Sequence, residues 1–310
     1  MNKPEVKSAL LHEMVRKACA NQNLAGMEVT VEKELLHYDI MAALSQAGLL
    51  QELVFQGGTC LRMAYGSQRL SEDLDFVGGI GFTPDAYQDL AQVLKDYFRP
   101  RYGLDVRIKL PKYRQFKATS VEVGRWMIAI ETQPQAKDMA HQKIKLEVAN
   151  VPSYSRKTRA LRLNYSALQA GLSTVLVNCE TEEEILADKV VALCLRHHIK
   201  ARDLWDLIML DQQGLRVNCD WVKAKFCDYK SEALPVERLQ QRLNELPAYW
   251  QSGDFEKEMQ RFLPPKKIQE TLASAHFMPY FTEAIDLLLK QIMTDLSVSS
   301  NGAKKSNFQL

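Results

Sequence analysis

Three acidic residues have the types and spacing for metal chemistry: Asp73 and Asp75, two positions apart in a predicted strand, and Glu147, in the alternating stretch Lys143–Val148. Side chains alternate across a β-strand, so Asp73 and Asp75 leave the same face of a sheet. This pair is compatible with a solvated strand face or with a divalent cation, because Mg²⁺ takes hard oxygen ligands and phosphates. With Glu147 as a third carboxylate, the pattern is typical of metal-assisted phosphoryl or nucleotidyl transfer.

A glycine pair lies shortly before these acids. Gly57 and Gly58 end one predicted strand, and Thr59 opens the helix that follows. Two residues without a Cβ let the backbone turn sharply and leave the first N–H groups of the helix facing outward, where they can bind an anion. The Thr59 hydroxyl can cap that helix or donate to a phosphate oxygen. By themselves the glycines are better explained by a plain tight turn, but the acids nearby favour phosphate binding.

One lysine interrupts an otherwise apolar stripe. In the helix predicted after Thr181, the residues that share a face are Ile185, Leu186, Lys189, Val190 and Leu193. Lys189 can extend to solvent at the edge of this face. If it lies beside an acidic metal site, it can instead neutralise charge that develops on phosphate groups.

Hydrophobic periodicity predicts the elements that position these groups. A helix containing Leu35 and Leu44 is expected to begin at a Thr30 cap and to end at Gly48. Strand-like stretches follow, with one short helix among them. They are a strand at Leu53–Phe55, a helix at Thr59–Tyr65, and strands at Leu70–Val77, Arg125–Glu131, Lys143–Val148 and Thr174–Val177. This order predicts an α/β (α+β) fold with a mixed or antiparallel sheet.

The last third of the chain has a helical pattern. Thr181 with Glu184 forms a capping box that opens a helix through about Arg196, and a second helix runs from Ala201 to Leu210. Further helical stretches are separated by breaks at Pro235, Pro247, Gly253 and Pro264-Pro265. We therefore expect a domain at residues 1–180 that contains the sheet, a helical domain at residues 181–296, and a flexible polar tail at residues 297–310.

Composition limits the class of protein. The 310 residues are 46% hydrophobic and 25% charged, as in ordinary globular proteins. No apolar run reaches the roughly 20 residues of a membrane-spanning helix, and the charged N-terminus differs from a secretory signal. Six widely spaced cysteines form no zinc-binding pattern and are expected to be reduced thiols. We therefore expect a cytoplasmic protein that has no membrane partner.

Charge is unevenly distributed along the chain. The segment from Arg99 to Arg162 has 15 Lys and Arg against 5 Asp and Glu, whereas the whole chain carries only +2. Such an excess can attract phosphates or can serve solubility. One hypothesis is that an RNA docks on this segment through residues such as Arg107, Lys109, Lys112, Arg114 and Lys117.

Several of these residues together resemble a known signature. The residues concerned are Gly57-Gly58-Thr59, Arg62, Tyr65, Arg69 and Ser71-Glu72-Asp73-Leu74-Asp75-Phe76. They resemble the motif of the AbiEii/AbiGii toxin family within the polymerase-β-like nucleotidyltransferase superfamily. Later segments also agree with the family pattern: Lys145–Val148, Leu186–Lys189 and Arg202–Leu207. Residue 147 is a departure, because Glu stands where the superfamily often has Asp.

The resemblance implies roles for individual residues. Asp73, Asp75 and Glu147 would hold Mg²⁺ or Mn²⁺, with Asp73, Asp75, Lys189 and Asp203 as the catalytic group. The triphosphate of an NTP substrate would contact Gly57, Gly58, Thr59, Arg62, Arg69, Ser71 and Lys189. Asp203 would orient Lys189 or contact the ribose, whereas the alternative for Asp206 is an ordinary helix salt bridge with Arg202. Removing Lys189 is then expected to impair transfer without unfolding the protein.

The resemblance also implies an activity. It predicts a toxin of a bacterial toxin–antitoxin or abortive-infection system that transfers NMP from an NTP to an RNA acceptor, with the tRNA 3′ end as the expected target. A cognate antitoxin would counter it. Two alternatives stay open: the same chemistry on a small molecule or a protein hydroxyl, and a nucleotide-binding regulator without turnover.

Overall fold

The computed structural model describes residues 3–111, 121–132 and 141–306. Lys112, Arg114 and Lys117 of the basic segment lie outside these ranges. The chain divides into two compact units, Met1–Glu180 (unit 1) and Thr181–Leu310 (unit 2).

Unit 1 contains a sheet and four helices among its described residues. The helices are α1 (Lys3–Gln22), α2 (Glu28–Gln46), α3 (Gly57–Cys60) and α4 (Leu90–Tyr102). The strands are β1 (Val54–Gln56), β2 (Leu74–Val77), β3 (Val106–Lys109), β4 (Val123–Ile130), β5 (Gln142–Ala149), β6 (Arg156–Ala160) and β7 (Leu176–Glu180). A π-helical turn at Leu61–Tyr65 continues α3, and short 3-10 turns occupy Pro84–Tyr87 and Ala170–Thr174.

The sheet is mixed. Its strands lie in the order β3-β4-β5-β2-β1-β7-β6. The pairs β2–β5 and β1–β7 are parallel, and the other neighbours are antiparallel. The predicted α/β (α+β) class with a mixed sheet is confirmed. The predicted neighbours at residues 125–131 and 143–148 do pair, as β4 and β5.

One face of the sheet is covered by helices. α2 packs against β5 and α4 against β3. The residues that alternate toward this face are apolar and buried, for example Phe55, Phe76, Trp126 and Leu146. The opposite face carries Asp75 and the other polar side chains of the central strands. Period-2 alternation therefore separates a core face from a chemical face.

Several predicted element boundaries were wrong. The strand expected at Thr174–Val177 is β7 at Leu176–Glu180, because Ala170–Thr174 forms a 3-10 turn. The strand expected at Leu70–Val77 begins only at Leu74, because the Ser71 N–H donates to Glu34 Oε1 at 3.0 Å and not to a neighbouring strand. α2 begins at Glu28 and not after Thr30. Gly26, with a positive φ, forms the turn before the helix, and its N–H donates to Glu28 Oε1 at 3.1 Å.

Among the described residues of unit 2, the regular elements are all helices. Its helices are α5 (Glu182–Leu195), α6 (Ala201–Gln212), α7 (Cys219–Asp228), α8 (Pro235–Ser252), α9 (Asp254–Met259), α10 (Pro265–Glu270) and α11 (Phe277–Ser306). The Thr181 cap is confirmed, because its hydroxyl accepts from the Glu184 N–H at 3.4 Å. A break at Pro247 was wrong: α8 continues through it. Packing of α8 against α5 and α11 outweighs the loss of one backbone hydrogen bond.

The C-terminal backbone differs from the expected tail. α11 extends to Ser306, so residues 297–306 are helical, and residues 307–310 lie outside the described part. Once a helix is formed, each added residue gains one backbone hydrogen bond without a new nucleation step. No helix among the described residues is both long and apolar enough to cross a bilayer.

Candidate functional site

The three predicted carboxylates lie on one face of the unit 1 sheet. β2 and β5 pair in parallel with Asp75 opposite Glu147, so these two side chains stand side by side on neighbouring strands, which are about 4.8 Å apart. Asp73 precedes β2 and its Oδ2 lies 3.4 Å from Lys145 Nζ on β5. All three acids are partly exposed. The structure thus brings together acids that are remote in the sequence.

Two cations compensate these acids. Lys145 pairs with Asp73, and Arg125 on β4 pairs with Glu147 at 2.5 Å. Both cationic side chains are about half exposed, at 45% and 60%. Exposed ion pairs contribute little to stability, so these two can exchange for another partner. The carboxylates are therefore accessible to a cation that competes with lysine or arginine.

The glycine turn lies against this acidic face. Gly57 has φ +75°, a conformation that favours glycine, and a Cβ at this position would lie 3.3 Å from Asp75 Oδ2. Gly58 lies under the guanidinium group of Arg69, and a Cβ there would stand 3.1 Å from Arg69 Cζ and overlap its terminal nitrogen. Both glycines are required by close approach. The turn at the end of β1 is consequently held next to Asp75.

Thr59 and Ser71 fasten the turn to the segment that carries the first acid. Thr59 Oγ1 lies 2.7 Å from Ser71 Oγ and donates to the backbone carbonyl of Asp73. Both side chains are buried. The hydroxyls are therefore bonded within unit 1, and they fix the position of Asp73 relative to Gly57 and Gly58.

Arg62 belongs to a buried network centred on Glu34 of α2. Arg62 Nε donates to both Glu34 oxygens at 3.2 and 3.1 Å, and Arg62 Nη1 donates to the Ser67 carbonyl at 2.9 Å. Glu34 also accepts from the Tyr165 hydroxyl at 2.5 Å and from the Ser71 N–H. Burial by itself would lower the pKa of Arg62, but the Glu34 carboxylate raises it above its ordinary value. Glu34 thus joins α2, the π-helical turn and the segment before the acids.

Arg69 is buried against Gly58 of the turn. Only 2% of it is exposed, and its Nη1 donates to the Leu70 carbonyl at 3.1 Å. Its guanidinium covers Gly58. Arg69 therefore shapes the turn from the protein side.

His37 of α2 holds the backbone next to the first acid. Its Nε2 donates to the Glu72 carbonyl at 3.0 Å, and the side chain is fully buried. Burial lowers the pKa of His37 to about 3, so the ring is neutral near pH 7. Lys33 lies 3.4 Å from the Glu72 carboxylate. Neither His37 nor Glu34 was predicted from the sequence, although ionisable residues among the apolar residues of α2 were a signal of buried polar partners.

In unit 2, the predicted lysine is buried in an ionic cluster. Lys189 of α5 extends between two carboxylates of α6, with its Nζ 2.9 Å from Asp203 Oδ1 and 2.8 Å from Asp206 Oδ2. The Lys189 side chain is 9% exposed, which excludes extension to solvent. Arg196 also pairs with Asp203. Asp203 therefore contacts both Lys189 and Arg196.

Asp206 and Arg202 differ from the expected helix pair. Asp206 is fully buried against Lys189, and Arg202 Nε donates to Glu258 Oε1 at 3.1 Å. The i, i+4 spacing alone does not fix the rotamers, and the two residues turn to separate neighbours that the fold supplies.

Comparison with known proteins adds the family. The model of the nucleotidyl transferase AbiEii toxin family, a type IV toxin–antitoxin system, matches residues 39–287. The chain belongs to the AbiEii toxin family. It is accordingly a nucleotidyltransferase, and the family implies a nucleotide substrate and a cognate antitoxin. The resemblance based on residues 55 to 207 is confirmed for AbiEii.

Two solved structures are also similar to the chain. The crystal structure of JHP933 from Helicobacter pylori has 18% identity and a TM-score of 0.46, and the match covers 90% of this chain and 97% of that one. A crystal structure described as a "putative nucleotidyltransferase" from H. pylori has 18% identity and a TM-score of 0.45, covering 85% and 93%. Among curated protein sequences, none matches this chain.

Proposed function

We propose that this AbiEii-family protein transfers NMP from an NTP to the 3′ hydroxyl of an RNA, with tRNA as the expected acceptor. The acceptor oxygen forms a bond to the α-phosphorus, and pyrophosphate leaves. The observation that carries the proposal is the position of the Gly57–Gly58 turn against Asp75, with Glu147 beside Asp75 on the next strand. A phosphate-binding turn next to several carboxylates is the arrangement that nucleotidyl transfer requires.

The donor set fits a divalent cation. Asp73, Asp75 and Glu147 offer only hard oxygen ligands on one sheet face, which is the chemistry that Mg²⁺ and Mn²⁺ prefer. Asp73 and Glu147 pair with half-exposed cations, which a divalent ion can displace because exposed ion pairs are weak. When bound, the ion would polarise phosphate oxygens and orient the acceptor. We assign these three residues to the metal.

The glycines are the residues of the signature that we assign to direct contact with the triphosphate. Gly57 is partly exposed and its backbone lies beside Asp75. Thr59, Arg62, Arg69 and Ser71 are buried and bonded to protein groups. We therefore propose that these four residues serve nucleotide binding by fixing the shape of the turn and the position of Asp73.

The second unit supplies the remaining predicted groups. We propose that Lys189 neutralises charge on the leaving pyrophosphate and that Asp203, 2.9 Å from Lys189 Nζ, orients it. In this proposal residues 1–180 are the catalytic domain, and residues 181–296 are the helical domain that carries both side chains. The reaction is expected in the cytoplasm, where NTPs and tRNA are abundant.

A labelling experiment tests the proposal. The purified protein is incubated with each α-labelled NTP, with total RNA or alone, in Mg²⁺, Mn²⁺ or a chelator. We expect label in RNA, loss of labelling in the chelator, and release of pyrophosphate. Label on the protein or on a small molecule without RNA would reject the RNA acceptor, and binding of NTP without turnover would reject the transferase.

A further inference from the structure

The chemical face of the unit 1 sheet carries more than the acids. Strand register places alternate residues of three neighbouring strands on the same face as Asp75 and Glu147. The cations among them are Arg107 and Lys109 of β3, Arg125 of β4, and Lys143 and Lys145 of β5. Four of the five are classed as exposed, and the Lys145 side chain is 45% exposed. We call these five residues the cationic face.

The register arranges four of the cations in two rows that run across the strands from β3 to β5, the strand that carries Glu147. Lys109 pairs with Met127, which pairs with Lys145, and Lys145 reaches Asp73. Lys109 and Lys145 are therefore about 10 Å apart across β4, at two strand spacings. Arg107, Ala129 and Lys143 form a parallel row two residues further along. Met127 and Ala129 of β4 lie between the two cations of β3 and the two cations of β5.

The charge is asymmetric about the acids. On the other side of Asp75 the same face continues with Gln56, Asn178, Thr158 and the buried acid Glu180, and Asn178 and Thr158 hydrogen-bond to each other at 2.9 Å. Arg156 follows only at the edge strand. Asp105 and Glu131 lie next to each other at the far end of β3 and β4. The cationic face is thus bounded by acids at both ends and extends to one side of the candidate active site.

Among the described residues, three of the five cations have no carboxylate partner. Arg125 and Lys145 pair with Glu147 and Asp73. Within the described ranges, Arg107, Lys109 and Lys143 have no ion pair within 4.0 Å. Arg107 and Lys109 lie on the edge strand β3, where charged side chains can serve to prevent pairing with another sheet. Lys143 lies on the interior strand β5, so edge protection does not explain its position.

We propose that the cationic face is the docking surface for the phosphate backbone of the acceptor RNA, which enters across β3 and β5 and ends at the carboxylates. The inference rests on the proposed function, because it supplies the path of that acceptor. The occupant is chosen by charge: repeated, solvated cations at regular spacing complement a flexible polyanion. Docking is thus assigned to one sheet face and not to the whole basic segment.

The test measures RNA binding separately from transfer. A fluorescently labelled, unstructured RNA of about 16 nucleotides is titrated with full-length protein, and anisotropy is recorded between about 50 and about 300 mM KCl. The face variant carries Arg107→Glu, Lys109→Glu and Lys143→Glu. The matched control carries Lys95→Glu, Arg99→Glu and Lys157→Glu, which remove three exposed cations located on α4 or on the other face of β6. Circular dichroism melting checks that both variants are folded.

We expect the face variant to bind RNA at least about tenfold more weakly and its salt slope to fall by about 2, since each lost phosphate contact on a single strand contributes about 0.7. The control variant should retain the wild-type slope. A neutral version with Gln at the same three positions should lie between wild type and the Glu variant. Binding of an NTP analogue should be unchanged in all of them.

The outcomes separate this proposal from the function. Equal weakening in the face and control variants would reject a defined docking surface, and unchanged binding in the face variant would do the same. Increased aggregation with intact RNA binding would assign the cations to edge protection instead. If wild type binds RNA through this face but transfers no nucleotide, the docking surface stands and the transferase proposal fails.

Discussion

At the scale of single residues, the site depends on how each carboxylate is surrounded. Asp75 and Glu147 are partly exposed and stand beside each other, so they are available to a cation. Glu34 is a carboxylate of a different kind, because it is buried and already bonded to Arg62, Ser71 and Tyr165. The same functional group is thus accessible to a ligand in one place and bonded within the protein in another, according to exposure and partners.

We predict that Asp75→Asn lowers nucleotidyl transfer by about three orders of magnitude, because metal-assisted stabilisation of the transition state contributes several kcal/mol. The melting temperature should stay close to that of wild type, since Asp75 is partly exposed. Initial rates and thermal melting measure the two effects. Asp105→Asn, which changes an exposed acid near the end of β3, is the control and should keep full activity. Full activity of Asp75→Asn would remove this carboxylate from the metal site.

His37 predicts a pH dependence of stability. Its pKa in the folded protein is about 3, against an ordinary value of 6.5, so the unfolded chain binds a proton that the folded chain does not. Stability should therefore rise with pH between about 3 and 6.5, and lowering the pH from 7 to 5 should cost roughly 2 kcal/mol through this residue. Denaturant unfolding at each pH measures this.

The control for that measurement is a second histidine. His37→Gln should flatten the slope between pH 5 and 6.5, although it also weakens the bond to Glu72. His12→Gln, at an exposed position of α1, should leave the slope unchanged. If the slope of His37→Gln equals that of wild type, His37 is not buried as a neutral ring.

At the scale of elements, the β1–α3 turn and the α5–α6 pair decide the geometry of the proposed catalytic groups. The turn requires glycine at position 57 because φ is positive there, and at position 58 because the Arg69 guanidinium lies against it. The helix pair buries three charges together. Each element therefore predicts a different effect of mutation.

For the turn, we predict that Gly57→Ala reduces transfer by at least about tenfold, because the added Cβ would stand 3.3 Å from Asp75 Oδ2 and displace it. Gly79→Ala is the matched control, since Gly79 has a similar φ of +79° and open space around it. Both variants should lose about 1–2 kcal/mol of stability through backbone strain. Only Gly57→Ala should lose activity. Equal activities would show that contact with Asp75 is unimportant.

For the helix pair, we predict that Lys189→Met destabilises the protein by about 3–5 kcal/mol, because it leaves Asp203 and Asp206 buried without their lysine. This reverses the expectation from the sequence, in which removal of a charge from an apolar stripe was harmless. The triple variant Lys189→Met, Asp203→Asn, Asp206→Asn should recover most of the stability. Lys200→Met, at an exposed position, is the control. Unfolding curves measure all of these variants.

The triple variant also separates structure from chemistry. If it is stable and inactive, Lys189 or Asp203 acts in transfer. If it is stable and fully active, the cluster is structural only and the proposed role of Lys189 is wrong.

At the scale of the whole molecule, each unit has its own core, one built by a sheet with helices on one face and the other by helices alone. No disulfide is needed for either, since all six cysteines are free thiols. The cores depend on apolar burial, in line with the hydrophobic content of the sequence.

Thiol reactivity tests the burial of the six cysteines across both units. Cys227 is exposed, Cys219 is partly buried with its pKa raised by burial, and the other four are buried. We predict that a thiol reagent at pH 8 modifies one cysteine rapidly in the native protein and all six after denaturation. Cys227→Ser should remove the rapid phase. Rapid modification of several thiols would contradict the buried positions.

The sequence by itself determined the local features. Alternation in Lys143–Val148 gave the correct strand and the correct face for Glu147, and the Thr181 cap was recognisable because capping uses residues three positions apart. The apolar stripe around Lys189 was likewise visible from helical spacing. These features depend on neighbours in the chain, so the amino-acid types suffice.

Only the tertiary structure decided which distant residues meet. The parallel pairing of β2 with β5 sets Asp75 beside Glu147, and no local pattern encodes a register between segments so far apart. Glu34 and His37 determine the backbone before Asp73 through bonds to Ser71 and Glu72, which shortened the predicted strand. The cations of β3 and β5 share a face for the same reason: register is fixed by burial of the opposite, apolar face against the helices.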